Sequence, residues 1–177
     1  MSIDDDKKRF TEIYNRESDS LFRFCLVRVS DRERALDITQ EAFTRLWSSI
    51  LSEKKVDNPR ALLFVVARNL IIDWYRRTKS VSLESLSEEG EREFDAPDPR
   101  ANLDIEMNAD IKRVLLILND LEPQYREVIY FRYVEDLPPQ EIAEILKLNA
   151  NTVSVRITRG IEALRKLMGI KKMNNEQ

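Results

Sequence analysis

The stretch Asp136–Met168, DLPPQEIAEILKLNANTVSVRITRGIEALRKLM, decides the fold of the C-terminal half. Asp136 precedes Pro138 and Pro139, and proline suits the first turn of a helix because the N–H it lacks would have no partner there. Ile142, Ala143 and Leu146 then recur at helical spacing. Leu148-Asn149-Ala150-Asn151 breaks the pattern, and Asn151 is placed to cap a second helix by accepting from its free N–H groups. Along that second helix Val153, Ile157, Ile161, Leu164 and Met168 fall on one face. The opposite face carries Val155, Thr158, Arg159, Glu162 and Lys166, with Arg156 at its margin. From Asn151 to Lys172 there are six Lys/Arg and one acidic residue. An apolar stripe inward, cations toward phosphates and short side chains toward base edges is the layout of a DNA-reading helix. A surface helix hairpin with a solvated charged face has the same apolar spacing, so this segment leaves both readings open.

A chain of 177 residues permits one or two domains with a real core. Only three glycines, strong helical periodicity and few alternating apolar runs predict an all-α protein. The single cysteine, Cys25, fits a reducing, cytoplasmic setting and reads as a small core hydrophobe. There is no histidine, which removes His-based triads and the usual zinc sites, and no glycine-rich phosphate loop. Neither a metal nor a cofactor is expected, and an enzyme is a weak hypothesis. The run Ala61–Ala67 is far too short to span a bilayer, so no membrane insertion is expected, and MSIDDDKKRF does not read as a signal peptide.

The net charge of −3 divides unevenly. Residues 1–80 hold 16 Lys/Arg against 13 Asp/Glu, residues 81–110 hold 2 against 10, and residues 111–177 hold 11 against 9. The acidic middle contains Gly90, Pro97 and Pro99 and little periodic apolar content, so it reads as a flexible linker over about 81–107. It would join a helical domain over 1–80 to a second over 108–177.

Three helices are expected in the first domain. Phe10, Ile13, Tyr14, Leu21, Phe24 and Cys25 make one stripe, and Leu36, Thr39, Phe43, Leu46, Trp47 and Ile50 make a second after Asp31. The third starts at Asn58-Pro59 and runs to about Arg77. After the linker, Ile111, Val114, Leu115 and Leu118 mark a further helix, and Pro123 opens another with Val128 and Ile129.

The third helix departs most from a simple core pattern. Leu63, Val66, Ala67, Leu70 and Trp74 occupy one face, while the other holds Phe64, Val65, Arg68, Asn69, Ile72, Tyr75 and Arg76. Aromatic groups interleaved with arginine suit a single strand, where bases stack on rings and cations hold phosphates. The Asn69 amide has both a donor and an acceptor for the edge of an extruded base. A central buried helix with a hydrogen-bonded asparagine would have the same composition. On the second helix, Asp37, Gln40, Glu41 and Thr44 cluster outward beside Arg34, Arg45 and Ser48, a face for a basic protein partner or simply for solvent.

Taken in order, these segments resemble the extracytoplasmic-function sigma factors, two-domain promoter-specificity subunits of the sigma-70 family. The matching residues are Asp37-Ile38-Thr39-Gln40-Glu41-Ala42-Phe43 with Leu46-Trp47, then Ala67-Arg68-Asn69-Leu70 with Asp73 and Arg76-Arg77. Leu121-Glu122-Pro123 follows, and then Glu141-Ile142-Ala143 with Asn151-Thr152-Val153 and Arg156. The resemblance implies no catalysis but promoter readout and strand opening on behalf of bacterial RNA polymerase core. It implies that Asp37, Gln40, Glu41, Phe43 and Thr44 lie where the family docks on the clamp helices of the largest subunit. It implies that Phe64, Arg68, Asn69, Tyr75, Arg76 and Arg77, with the loop Ser52–Asn58, lie where the −10 element is opened and read, Asn69 taking a flipped base. It implies that Asn151, Thr152, Ser154, Val155, Arg156, Thr158, Arg159 and Lys166 lie on the helix that enters the major groove at the −35 element. An anti-sigma partner, covering both DNA faces until a signal releases it, is a further implication. The chain departs from the family at Leu62 and Val65, where tryptophan and arginine are frequent, at Ser154, and at Lys147-Leu148, where the turn often has glycine. Val155, after Ser154, suits a thymine methyl.

Two other readings stay in view: a helix–turn–helix regulator with a helical sensor or dimerisation domain, and a helical protein-interaction module. The aromatic-basic face around Asn69 counts against the first, and the basic outer face of the last helix against the second.

Overall fold

A computed structural model describes residues 3–52, 56–82, 117–118 and 120–169, with side chains of the third helix described to Arg77. All but the first two residues of the expected linker, and the expected helix at Ile111–Leu115, lie outside the described residues. The chain divides into two compact units between Pro97 and Asp98, and every described element is helical. No helix among the described residues is long and apolar enough to cross a membrane.

The first unit contains α1 (Ile3–Val29), α2 (Arg32–Leu51) and α3 (Pro59–Ser82), each packed against the other two. Asp31 caps α2 by accepting from the Arg34 N–H at 2.9 Å, as its position before the apolar repeat predicts. Asn58 caps α3 in the same way, accepting from the Ala61 N–H at 2.9 Å, with Pro59 at the first helical position. The core is built from Leu21, Phe24, Cys25, Ala35, Ile38, Ala42, Leu46, Leu63, Phe64, Ala67 and Ile71, all nearly or fully inaccessible to solvent. Phe24 and Phe64 meet edge-on with centroids 5.1 Å apart. Three expectations are corrected here. Leu36 is exposed while Ile38 is buried; Tyr14 is half exposed; and Ile71, not Leu70 or Trp74, completes the buried face of α3.

A buried carboxylate fixes the start of α3. Glu17, on α1, is 4% exposed and lies 3.1 Å from the Arg60 guanidinium, while Arg16 closes on its other oxygen at 2.7 Å. Arg9 adds a hydrogen bond to the Val56 carbonyl at 2.9 Å, so α1 also holds the turn that leads into α3.

The second unit contains α4 (Pro123–Ile129), which widens into a π-helical turn at Tyr130–Val134, then α5 (Pro139–Leu146) and α6 (Ala150–Leu167). The wide turn shows in the Glu135 N–H bonding the Tyr130 carbonyl at 3.2 Å. Glu135 is itself buried and accepts from the Tyr130 hydroxyl at 2.9 Å. Between α5 and α6, Lys147 takes the left-handed conformation (φ 55°, ψ 43°) that usually favours glycine, and turns the chain in its place.

Candidate functional site

Three outward faces stand over these cores. On α6 the apolar stripe is shorter than its spacing predicts: Val153, Ile157 and Gly160 are buried, Ile161 and Leu164 are half-buried, and Met168 is exposed beyond the last turn. The cap also lies two residues earlier than expected. Asn149, not Asn151, accepts from the Thr152 N–H at 2.7 Å, and Asn151 stands free of capping inside the first turn. Either asparagine suits a cap chemically, and only the backbone (φ −86°, ψ 154° at Asn149) decides between them.

That shift leaves Asn151 exposed with Ser154, Val155, Thr158, Arg159 and Lys166, while Thr152 and Arg156 are half-buried at the margin. Asn149, Asn151, Thr152, Val155, Arg156 and Arg159 line a concavity of about 540 Å³ together with Gln124 and Tyr125 from α4. An exposed helix carrying two arginines, an amide and short side chains, set proud of a concave base, can enter a groove and meet both phosphates and base edges.

On α3, Phe64 is corrected from surface to core: it is 1% exposed and lies under the helix against Phe24. Tyr75 is half-buried, and its hydroxyl donates to the Arg28 carbonyl rather than facing outward. Burial pushes its phenol well above its ordinary range, against the opposing pull of Arg28, so it stays a neutral donor. What remains outward is Arg68 and Asn69, half-buried, with Arg76 and Arg77 exposed. The side-chain amide of Asn69 makes no hydrogen bond among the described residues, unlike a core asparagine.

On α2, Asp37, Gln40, Glu41 and Thr44 are exposed together. Glu41 is paired to Arg45 at 2.8 Å and Asp37 lies 3.9 Å from Arg34, so the face is polar and of mixed charge rather than simply acidic. Phe43 is buried beneath it, in ring contact with Tyr14 at 4.8 Å and Phe10 at 6.1 Å, and supports the face from below. Sequence reasoning did not find the shallow groove of about 250 Å³ beside it, lined by Lys7, Phe10, Thr11, Phe43, Thr44 and Trp47. The aromatic spacing on α1 and α2 was its only signal.

Comparison with known proteins places the two units in order. Residues 13–81 match Sigma-70 region 2, and residues 111–164 match Sigma-70 region 4. The chain is 32% identical over 170 residues to the ECF RNA polymerase sigma factor SigW of Bacillus subtilis, covering 91% of this chain and 89% of that one. It belongs to the extracytoplasmic-function sigma factors. The ECF RNA polymerase sigma factor SigL of Mycobacterium tuberculosis is 31% identical over 157 residues, covering 86% of this chain and 85% of that protein. The fold is shared with the sigma factor RpoE of Bartonella quintana, solved with the anti-sigma factor NepR (TM-score 0.67, 20% identity, 93% of this chain and 99% of that one). It is shared also with CnrH, solved with the cytosolic domain of CnrY (TM-score 0.62, 21% identity, 94% and 91% covered). The chain is thus a transcription initiation factor that directs RNA polymerase to promoters, with polymerase core and promoter DNA as its partners.

Proposed function

We propose that this sigma factor divides its work among the three faces. The outer face of α2 docks on polymerase core through Asp37, Gln40, Glu41 and Thr44, with Phe43 supporting it from the core. The surface of α3 takes the −10 element, Asn69 receiving an extruded base while Arg68, Arg76 and Arg77 hold the strand. Helix α6 enters the major groove at the −35 element through Asn151, Thr152, Ser154, Val155, Arg156, Thr158, Arg159 and Lys166. The factor performs no catalysis of its own and works beside polymerase in the cytoplasm. An anti-sigma protein holds it inactive, a reading supported by its fold likeness to RpoE, which was solved with one.

The observation that carries this reading is the setting of Asn69. Its amide is uncommitted among the described residues, yet its helix is tied to α1 on both sides of it, by Arg60–Glu17 before and Tyr75–Arg28 after. A base-capturing group gains from such a fixed platform, because little ordering is left to do when the base arrives.

Core binding by an Asp37→Lys/Glu41→Lys variant tests the docking assignment. Both side chains are exposed, and exchanging their two ion pairs for like-charge neighbours costs on the order of 1–2 kcal/mol in all, which leaves the buried core of the unit untouched. Pull-down with core polymerase is expected to fail while helicity is unchanged, since reversing two charges against a complementary surface costs several kcal/mol. Undiminished capture would show that α2 is merely solvated here.

A further inference from the structure

Among the described residues, Val155 is the one large apolar side chain exposed in the first three turns of α6; it is 49% exposed in the middle of a polar, cationic face. Its neighbours along the helix edge are Asn151, one turn before, and Arg159, one turn after, and all three line the same concavity. The two hydroxyls that flank it are already committed. Ser154 donates to the Ala150 carbonyl at 2.9 Å, and Thr158 donates to the Ser154 carbonyl at 3.1 Å. The segment from Ser154 to Thr158 therefore offers a base edge no free hydroxyl hydrogen at Val155; what it offers there is two methyl groups. β-branching holds them in one rotamer on a helix, so they are presented in a fixed direction.

The major groove has one apolar group, the 5-methyl of thymine. We propose that Val155 is a specificity-determining residue that selects a thymine in the upstream promoter element by packing against that methyl. This rests on the assignment of α6 to the major groove and adds the base chosen and the means of choosing it. With both flanking hydroxyls spent on backbone carbonyls, the preference that Val155 itself adds is carried by shape and dehydration. Cytosine presents no methyl and an N4 amino donor that valine cannot accept from, which adds discrimination without any contact being made to it.

The test uses the holoenzyme of core polymerase and the full chain. Promoter duplexes are first selected by it from a random pool. Each thymine of the protected upstream element is then replaced singly by deoxyuridine, which removes the methyl and leaves the pairing edge intact. One position is expected to lose about three- to fivefold in affinity, the worth of one buried methyl. Val155→Ala is expected to bind the thymine duplex more weakly by about the same factor and to be indifferent to uracil there. A wild-type chain indifferent to uracil at every position, or a Val155→Ala chain that keeps the full uracil penalty, would overturn the proposal. Arg159→Ala, measured alongside, separates the two levels. If it weakens binding while uracil is silent, only the thymine inference falls; if it too is silent, the placement of α6 in the groove falls with it.

Discussion

The Tyr75 hydroxyl donates a hydrogen bond to the backbone carbonyl of Arg28, 47 residues earlier in the chain. That carbonyl belongs to the last turn of α1, where no later N–H of the helix can reach it, so Tyr75 serves as a cap supplied from another helix. The Arg28 guanidinium in turn stacks 3.6 Å over Phe24, and Phe24 packs edge-on against Phe64 of α3. A face that reads as aromatic and nucleic-acid-binding in sequence is thus partly a fastening between α1 and α3.

Tyr75→Phe keeps the ring and deletes the cap. It is expected to lower the stability of the first unit by about 1 kcal/mol, or roughly 4–8 °C in Tm for a domain of this size, with promoter opening per folded molecule unchanged. A thermal melt beside an opening assay decides it. An unchanged melt with impaired opening would put the hydroxyl on DNA instead.

Gly160 is where α6 crosses α4. A Cβ there would stand 2.8 Å from Cγ1 of Ile129 and 3.3 Å from the Tyr125 Cβ. Gly160→Ala gains about 1 kcal/mol of helix propensity, but overpacking of this kind costs about 1–3 kcal/mol. Net destabilisation is expected, and in an Ile129→Ala background, where the colliding Cγ1 is gone, Gly160→Ala should cost less. A double-mutant cycle in urea that showed no coupling between the two sites would contradict the close crossing.

Cys25 gives the first unit an alkaline limit. Burial pushes its thiol from 9.0 up to about 12, with the Thr39 hydrogen bond and the Arg28 charge pulling weakly the other way. Between those values the unfolded chain has released the proton and the folded chain has not. The folded state then binds more protons, and stability falls as pH rises. The slope approaches about 1.4 kcal/mol per pH unit for this one group. Denaturant melts at pH 8, 9.5 and 10.5 are expected to show the decline, and Cys25→Ala should flatten its first part. At pH 8 a thiol reagent should react only as fast as the unit opens.

How much of this was legible depended on whether the deciding signal was local. Asp31 and Asn58-Pro59 announce α2 and α3 because a cap is a property of adjacent residues, and both start where expected. Asn149 and Asn151 carry the same chemistry two positions apart, and composition could not choose between them. Phe64 was misplaced for a different reason. Helix α3 is covered by both α1 and α2, and its buried arc, Leu63, Phe64, Ala67 and Ile71, is rotated round the helix from the stripe Leu63, Val66, Ala67, Leu70 and Trp74 that periodicity picks out. Buried Glu17 and Glu135 were invisible because a carboxylate is placed at the surface by default. Partners such as Arg60 for Glu17 and Tyr130 for Glu135 make that burial tolerable, and these two pairings cross between helices or bridge an irregular turn.

The sharpest test falls on Asn69 and Arg76, seven residues apart and so near one another on the outer side of α3. If the Asn69 amide captures a base, Asn69→Ala is expected to spare folding, core binding and the closed complex. Open-complex formation should weaken by about 1–3 kcal/mol, one or two base-edge hydrogen bonds, or roughly one to two decades. Arg76→Ala should instead weaken binding whatever the sequence, because a phosphate contact carries no base information. A purely structural asparagine predicts the reverse: its removal lowers the melting temperature while each folded molecule still opens promoters normally. The half-buried, unbonded amide already disfavours that outcome, since there is no internal hydrogen bond among the described residues for the substitution to break. Permanganate footprinting of melted thymines, read against a thermal melt of the same variants, separates the two. A destabilised Asn69→Ala factor with a normal footprint would end the base-capture assignment.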